Sequence, residues 1–151
     1  MPRYFFDSSA LAKLYQTETG SAKVEAVFRE ADRTILISRL TAVEINSVFA
    51  RRVRMGDLTA ADATSLRHHF LNDVATGTFQ VVAITDQHFS EAERLLIQYA
   101  ATNSLRTLDA LQLAVALDLH QRGSLNSVLA ADNTLIEVAV TEGLPVTNPE
   151  I

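Results

Sequence analysis

Four acidic residues stand where a parallel α/β sheet would bring carboxylates together. Asp7 directly follows the predicted first strand, and Asp132 closely follows the predicted fourth strand. Glu44 lies two turns into the helix after the second strand, and Asp109 lies in the first turn of the helix before the fourth strand. In a doubly wound sheet, ligands bind outside the carboxyl ends of the strands. We therefore expect these four acids, from separate segments, to converge on one crevice.

A cluster of four carboxylates is suited to metal-assisted chemistry at phosphorus. Mg²⁺ and Mn²⁺ prefer oxygen ligands. Two such ions about 3.5–4 Å apart can activate water and stabilise the leaving oxygen of an in-line displacement. Carboxylates in one crevice also repel each other, so the site would be electrostatically strained without metal. The pattern therefore favours an in-line displacement at phosphorus that is assisted by metal ions.

Three of the four acids also have a structural interpretation. Asp7 and Asp132 would be suitable N-caps, a position where Asp is favoured. Thr41 and Glu44 match the two ends of a capping box, in which Glu44 would only contact the backbone. Ser38 offers an earlier cap for the same helix. These acids alone therefore leave both interpretations open.

Asp109 is the acid that is hardest to explain structurally. The segment from Leu108 to Leu117 is apolar nearly all round, which predicts a central, buried helix. A buried carboxylate is costly unless it is paired or bound to metal. Asp118, nine residues later, falls on the opposite face at about 100° per residue and is interpreted as a solvated or structural acid. Asp86, after the third strand, is interpreted as a helix cap.

The histidines do not compete as metal ligands. Two are adjacent on a helix, where neighbouring side chains point apart, and the other two are isolated in the sequence. All four are interpreted as surface or structural residues: His68, His69, His88 and His120.

The elements that must position these acids alternate between strand and helix. The predicted strands are Tyr4–Phe6, Thr34–Ile37, Phe79–Ile84 and Ser127–Ala130, and Pro145–Thr147 is a candidate edge strand. The predicted helices are Ser8–Tyr15, Ser21–Ala31, Leu40–Met55, Ala60–Ala75, Gln87–Ala101, Leu108–Gln121 and Asn133–Glu142. Short apolar strands between helices predict an α/β fold, a three-layer α/β/α sandwich around a parallel sheet of four or five strands. At 151 residues, we expect one domain over residues 1–151.

Composition excludes several classes of protein. The chain has no cysteine, which rules out a disulfide scaffold, a thiolate zinc site and a cysteine nucleophile, and is compatible with a cytoplasmic location. No apolar run approaches about 18 residues, so we expect no membrane span. No two of the five glycines are close together, so neither a Rossmann fingerprint nor a Walker loop is present.

The charge balance is unusual for a protein that binds nucleic acid. Eighteen acidic residues face 13 basic ones, for a net charge of −5, whereas nucleic-acid-binding domains are typically basic. Binding of RNA would then need metal ions and a local arginine patch. Arg51 follows Glu44 by seven residues, about 10 Å along nearly the same helix face. Arg52 and Arg54 could extend the patch, although a solvated face is an equally good interpretation.

Four motifs of the sequence resemble, in order, those of PIN-domain ribonucleases, and among them the VapC-type toxins of bacterial and archaeal toxin–antitoxin pairs. The resemblance runs over essentially the whole chain and is carried by the segments Tyr4–Leu11, Leu40–Ile45, Leu105–Ala114 and Ala130–Leu135. It implies a PIN-like fold and an endoribonuclease that depends on Mg²⁺ or Mn²⁺. It also implies a homodimer that is inhibited by a cognate antitoxin.

The same resemblance assigns site residues. It implies metal binding by Asp7, Glu44, Asp109 and Asp132. Ala130 departs from the family pattern, because a Ser or Thr often stands two residues before the fourth acid. Ser8 or Ser9 could still orient Asp7 through a hydrogen bond, as residues behind metal ligands do.

Other functions share parts of this sequence pattern. A haloacid-dehalogenase-type phosphatase would need a second Asp where Ser9 stands, and a response regulator would need a late lysine, whereas none follows Lys23. A non-catalytic binding module would be expected to have lost an acid, and all four are present. A housekeeping RNA-processing nuclease of the PIN type is the main alternative to a toxin, and the sequence separates these two only weakly.

Overall fold

A five-stranded parallel sheet forms the centre of the computed structural model, which describes residues 1–151. The strands are β1 (Arg3–Phe6), β2 (Thr34–Ser38), β3 (Phe79–Val82), β4 (Ser127–Leu129) and β5 (Val146–Thr147). Their spatial order is β3-β2-β1-β4-β5. The chain therefore builds outward from β1 on one side and then crosses to β4 on the other. The position between β1 and β4 is the topological switch point, where a doubly wound sheet opens a crevice.

Seven helices cover the two faces of this sheet. They are α1 (Ser8–Tyr15), α2 (Ser21–Phe28), α3 (Arg39–Arg54), α4 (Ala60–Ala75), α5 (Asp86–Asn103), α6 (Thr107–Gln121) and α7 (Asn133–Thr141). Helices α1 to α4 share one apolar core with Phe6, Ile35 and Leu129. Helices α5 to α7 share the other core with Phe5 and Leu36. Alternating strand residues thus enter opposite cores, and the predicted three-layer α/β/α sandwich with a fifth strand is confirmed.

Helix α6 is the most buried helix of the chain. Its residues from Ala110 to Leu117 are all buried, as the apolar sequence predicts. Asp109 stands at its first turn, where the helix reaches the carboxyl edge of the sheet. None of the helices combines the length and the apolar character needed to cross a bilayer.

Two predicted elements extend two or more residues beyond the observed ones. The second helix ends at Phe28 rather than Ala31. The Glu30 N–H bonds the Val27 carbonyl (3.1 Å), three residues back rather than four, and Asp32 then takes a left-handed φ of 56°. The third strand ends at Val82 rather than Ile84. Its only partner is β2, which ends at Ser38 opposite Val82, so the next two residues have no ladder to join.

Candidate active site

The four predicted acids line one cleft at the carboxyl ends of β1 and β4. The cleft has a volume of about 420 Å³ and is bordered by Asp7, Glu44, Asp109 and Asp132. A cavity of similar volume, about 440 Å³, lies between α1, α2 and α4, but half of its lining is apolar and none of the predicted site residues reaches it. The polar cleft is therefore the candidate site.

Asp7 is the most buried acid of the cleft, with 5% of its surface exposed. Its backbone N–H donates to the Leu129 carbonyl (3.1 Å), which sets the residue at the junction of β1 and β4. Its Oδ1 accepts from the Ser9 hydroxyl (2.6 Å) and from the Ala10 N–H (2.9 Å). Burial raises the pKa of Asp7 to about 7 against these two hydrogen bonds, and the nearby Asp132 adds to the rise. No basic side chain is paired with Asp7, so its carboxylate lacks a counterion.

Glu44 is held by side chains from two neighbouring helices. Ser38 caps α3, since its hydroxyl accepts from the Thr41 N–H (3.2 Å), and the capping-box interpretation of Glu44 is therefore wrong. The Glu44 carboxylate instead accepts from the Ser8 hydroxyl (2.8 Å) and lies 3.4 Å from the Gln112 amide. Gln112 is buried and also bonds Ser38 (2.8 Å) and Thr41, so one polar network ties Glu44 to α1 and α6.

The two serines after Asp7 have different roles. Ser9 bonds Asp7 and also accepts from the Ala131 N–H (3.0 Å), which bridges the first and fourth motifs. Ser8 bonds Glu44 and not Asp7. Of the two serines expected to orient Asp7, Ser9 makes that contact.

Asp109 and Asp132 both lie beside Arg106. Asp109 Oδ2 accepts from the Arg106 backbone N–H (3.3 Å) and lies 3.7 Å from its guanidinium, and Asp132 Oδ2 lies 4.0 Å from the same group. Burial raises the pKa of Asp109, and the charge of Asp132 adds to that rise, whereas the Arg106 N–H opposes it. Asp132 Oδ1 accepts from the Leu135 N–H (3.1 Å) and so caps α7.

The structural and metal-binding interpretations of these aspartates are compatible. Asp7, Asp109 and Asp132 each use one carboxylate oxygen to satisfy a backbone N–H at a helix start. The second oxygen of each has no hydrogen bond within the chain. Each aspartate can therefore be a cap and still present an oxygen to a ligand.

The donor set of the cleft fits a hard divalent cation. Carboxylate oxygens are the ligands that Mg²⁺ and Mn²⁺ prefer, and the buried Asp7 lacks a counterion. No three acidic or histidine side chains are already closed around one point. Mg²⁺ usually keeps several waters and binds through one or two carboxylates plus substrate phosphates, so its binding does not require three side chains around one point.

Three cleft or network residues were not predicted from the sequence. Arg106 occupies the N-cap position three residues before Asp109, and its side chain is 79% exposed at the cleft. Gln112 is the one polar residue within the buried run of α6, which was an available signal. Lys13 lies on α1 one turn after Ser9, and its side chain is only 4% exposed. A buried lysine needs acceptors, but the sequence alone does not say which segments supply them.

The remaining sequence predictions fall outside the acid cluster. Arg51 is exposed and lines the cleft, whereas Arg52 is paired with Glu18. His68 and His69 are exposed. His88 is buried and bonds Asp118 (2.8 Å), which makes both structural as expected.

Asp86 is not a helix cap. Thr85 occupies the N-cap position of α5, and its backbone N–H donates to His88 Nδ1 (3.0 Å). Asp86 is the first residue of the helix itself and is exposed. It follows β3 at the same edge of the sheet as the cleft but does not line it, which makes it a matched control acid.

Comparison with known proteins agrees with this fold and this acid-lined cleft. This chain belongs to the PIN domain family, whose model matches residues 4–145. Ribonuclease VapC45 of Mycobacterium tuberculosis is 32% identical over 124 residues, which are 82% of this chain and 81% of that relative. The resemblance to PIN-domain ribonucleases of the VapC type is thereby confirmed, and this family generally uses a divalent metal.

Solved structures share the same fold at low sequence identity. The structure of Mycobacterium tuberculosis VapC20, a sarcin–ricin loop cleaving toxin, covers 98% of both chains with a TM-score of 0.68 at 15% identity. A toxin–antitoxin complex from Klebsiella pneumoniae covers 97% of both chains with a TM-score of 0.59 at 20% identity.

Proposed function

We propose that residues 1–151 act as one nuclease domain, a divalent-metal-dependent endoribonuclease that is the toxin of a toxin–antitoxin pair. The observation that carries this proposal is the convergence of Asp7, Glu44, Asp109 and Asp132 on one cleft. The relatives named as VapC ribonucleases support the substrate class.

The four acids would hold Mg²⁺ or Mn²⁺, which when bound supplies an activated water and neutralises charge at the scissile phosphate. The residues of the chain prepare this site. Ser9 and the Ala10 N–H fix one oxygen of Asp7, and Ser8 fixes Glu44. The exposed guanidinium of Arg106 stands beside Asp109, where it can contact a phosphate oxygen of the substrate.

Cleavage of RNA by the purified protein tests this function. We expect single-stranded RNA to be cut internally in Mg²⁺ or Mn²⁺ and to stay intact in excess EDTA. A preparation of an inactive variant, purified in parallel, controls for contaminating nuclease. Full activity in EDTA would exclude the metal-dependent mechanism, and no cleavage of any RNA would favour the non-catalytic binding module.

Arg51 is expected to bind the RNA backbone beside the acids. It is exposed on the α3 face that lines the cleft, seven residues after Glu44. Arg51→Ala should weaken RNA binding and lower the slope of log Kd against log salt by about 0.7, the value for one phosphate contact on a single strand. Arg54→Ala is the matched control, since Arg54 is exposed on the same helix but outside the cleft. Equal salt slopes for the wild type and Arg51→Ala would show that Arg51 does not contact the backbone.

The acidic cleft is also expected to accept a basic side chain of an antitoxin. The chain has a net charge of −5, and Asp7 lacks a counterion, so an arginine of the partner would gain charge-assisted hydrogen bonds there. A structural neighbour is described as a toxin–antitoxin complex, which supports a partner of this kind.

We also propose that the chain forms a homodimer.

Expression in the native host distinguishes a toxin from a housekeeping nuclease. We expect expression of this chain alone to arrest growth, and co-expression of an adjacent gene encoding its antitoxin to restore it. The Asp109→Asn variant should be harmless at the same expression level. A wild-type chain that does not slow growth would favour the housekeeping RNA-processing role.

A further inference from the structure

Lys13 is a buried cation in the wall of the cleft. Its amine makes three contacts, with Glu18 Oε1 (2.9 Å), the Thr19 carbonyl (2.7 Å) and Glu150 Oε2 (3.1 Å). These acceptors match the three N–H donors of an ammonium group. Lys13 follows Ser9 by four residues on α1, so it lies about 6 Å along the helix axis from the residue that holds Asp7. Lys13 therefore lines the same cleft as the four predicted acids.

The two acids that contact Lys13 are bound differently. Glu18 is also paired with Arg52, so its charge is shared between two cations, and its side chain is 26% exposed. The Glu150 carboxylate has Lys13 as its only charged partner, and its side chain is 39% exposed at the cleft. Glu150 is thus the one of the two acids that can leave Lys13 without breaking a second ion pair.

The backbone near Glu150 is fixed independently of this contact. Gly20 has a φ of +89°, and a Cβ on it would lie 2.9 Å from the Pro149 carbonyl oxygen, so the two segments are in close contact. The Ala130 N–H also donates to the Thr147 carbonyl (3.3 Å). Release of the Glu150 carboxylate therefore needs a change of its side-chain rotamer and no movement of the chain.

The cleft as a whole carries an excess of negative charge. Six acids line it against four basic residues: Asp7, Glu18, Glu44, Asp109, Asp132 and Glu150 against Lys13, Arg51, Arg52 and Arg106. A polyanion gains from every cation that it can reach there. A phosphate offers Lys13 the same kind of acceptor oxygen that the Glu150 carboxylate provides.

We propose that Lys13 is an RNA-binding residue and that Glu150 occupies its phosphate position in the free protein. This inference rests on the proposed ribonuclease function. When RNA enters the cleft, a backbone phosphate replaces the Glu150 carboxylate on Lys13, and Glu150 turns to solvent. Glu150 thereby competes with the substrate and weakens binding of RNA.

A double-mutant cycle tests this exchange. The cycle consists of a parent, Glu150→Gln, Lys13→Met and the double variant, all carrying Asp109→Asn so that the RNA stays intact. The probe is a short fluorescein-labelled single-stranded RNA in Mg²⁺, and its Kd is measured by fluorescence anisotropy. Glu150→Gln should tighten binding about 3- to 10-fold, in the range of the net contribution of one hydrogen bond, and Lys13→Met should weaken it by a similar factor. The effect of Glu150→Gln should vanish in the Lys13→Met background, because the two residues act through one contact.

Each outcome of this cycle is informative. If Glu150→Gln tightens binding by the same factor in the parent and in the Lys13→Met background, the effect is general electrostatics and the exchange is wrong. If the parent binds RNA and Glu150→Gln has the same Kd, the exchange is wrong and the ribonuclease function stands. If the parent does not bind RNA, both fail. Thermal melts check that Lys13→Met folds, and if it does not, Lys13→Gln takes its place.

Discussion

Replacement of Asp7 or Asp109 by Asn should lower RNA cleavage by at least about 100-fold, the upper range of loss even for residues that only support a metal ligand. Asn keeps the shape of the side chain and one acceptor oxygen, so the caps to the Ala10 N–H and the Arg106 N–H can remain. What is lost is the negative charge. Initial rates on labelled RNA, at saturating Mg²⁺, measure the effect.

Asp86→Asn is the control for this prediction. Asp86 lies at the same edge of the sheet and at the start of a helix, but it is exposed and outside the cleft. Its replacement should leave the rate near the wild-type value. Similar losses in the Asp86 and Asp109 variants would point to a general effect of charge, and full activity of Asp109→Asn would remove the acid from the mechanism.

Metal should stabilise the folded protein, and loss of a buried charge should stabilise the metal-free form. A ligand that binds only the folded state contributes RT ln(1 + [L]/Kd), roughly 1.4 kcal/mol for about 10 mM Mn²⁺ and a Kd on the order of 1 mM. In a domain of this size that is a rise of about 3–6 °C in Tm. Asp7→Asn and Asp109→Asn should each raise the Tm in EDTA and reduce the rise caused by Mn²⁺.

The pH dependence of stability in the metal-free protein tests whether the buried charge of Asp7 destabilises the folded state. The pKa of Asp7 is raised from its ordinary 3.8 to about 7 in the folded protein, mainly by burial. The folded state therefore holds a proton that the unfolded state loses between these values, and the free energy of unfolding falls as the pH rises from about 4 to about 7. Asp7→Asn should flatten that fall. Melts in EDTA across this range, for the wild type and Asp7→Asn, measure it.

A wild-type Tm that does not respond to Mn²⁺ would contradict a shared metal site. If the acids are only caps, Mn²⁺ leaves the wild-type Tm unchanged and the Asn variants are neutral or less stable. Asp86→Asn is again the matched control, and its response to Mn²⁺ should equal that of the wild type.

Local sequence patterns were sufficient to predict most of the fold. Apolar β-branched runs such as Thr34–Ile37 and the apolar helix around Asp109 are determined by local periodicity, and both lie where expected. The third strand was predicted to end at Ile84 and the second helix at Ala31, and both observed elements end earlier. Strand pairing sets the first of these ends, and the backbone conformation of the following loop accompanies the second. The third strand ends where its partner ends, and the second helix ends before a left-handed Asp32, and neither is visible in a hydrophobic pattern.

The candidate site was predictable to a lesser extent. Position relative to the strands was enough to place Asp7 and Asp132 at one edge of the sheet. The capping match at Glu44 was misleading, because its carboxylate is held by Ser8 from a helix that is distant in sequence. The partners of Lys13 could not be predicted for the same reason, since Glu150 is brought to it only by the tertiary fold.

The hydrogen bond from the Ala131 N–H to Ser9 joins residues 122 positions apart. On a ribosome, the first acid leaves the exit tunnel long before the fourth has been added to the chain. A nascent chain therefore carries an incomplete cleft, and its catalytic power should appear only when β4 docks beside β1. Docking of β4 beside β1 is thus the folding step that completes the cleft, and the proposed activity should not appear before it.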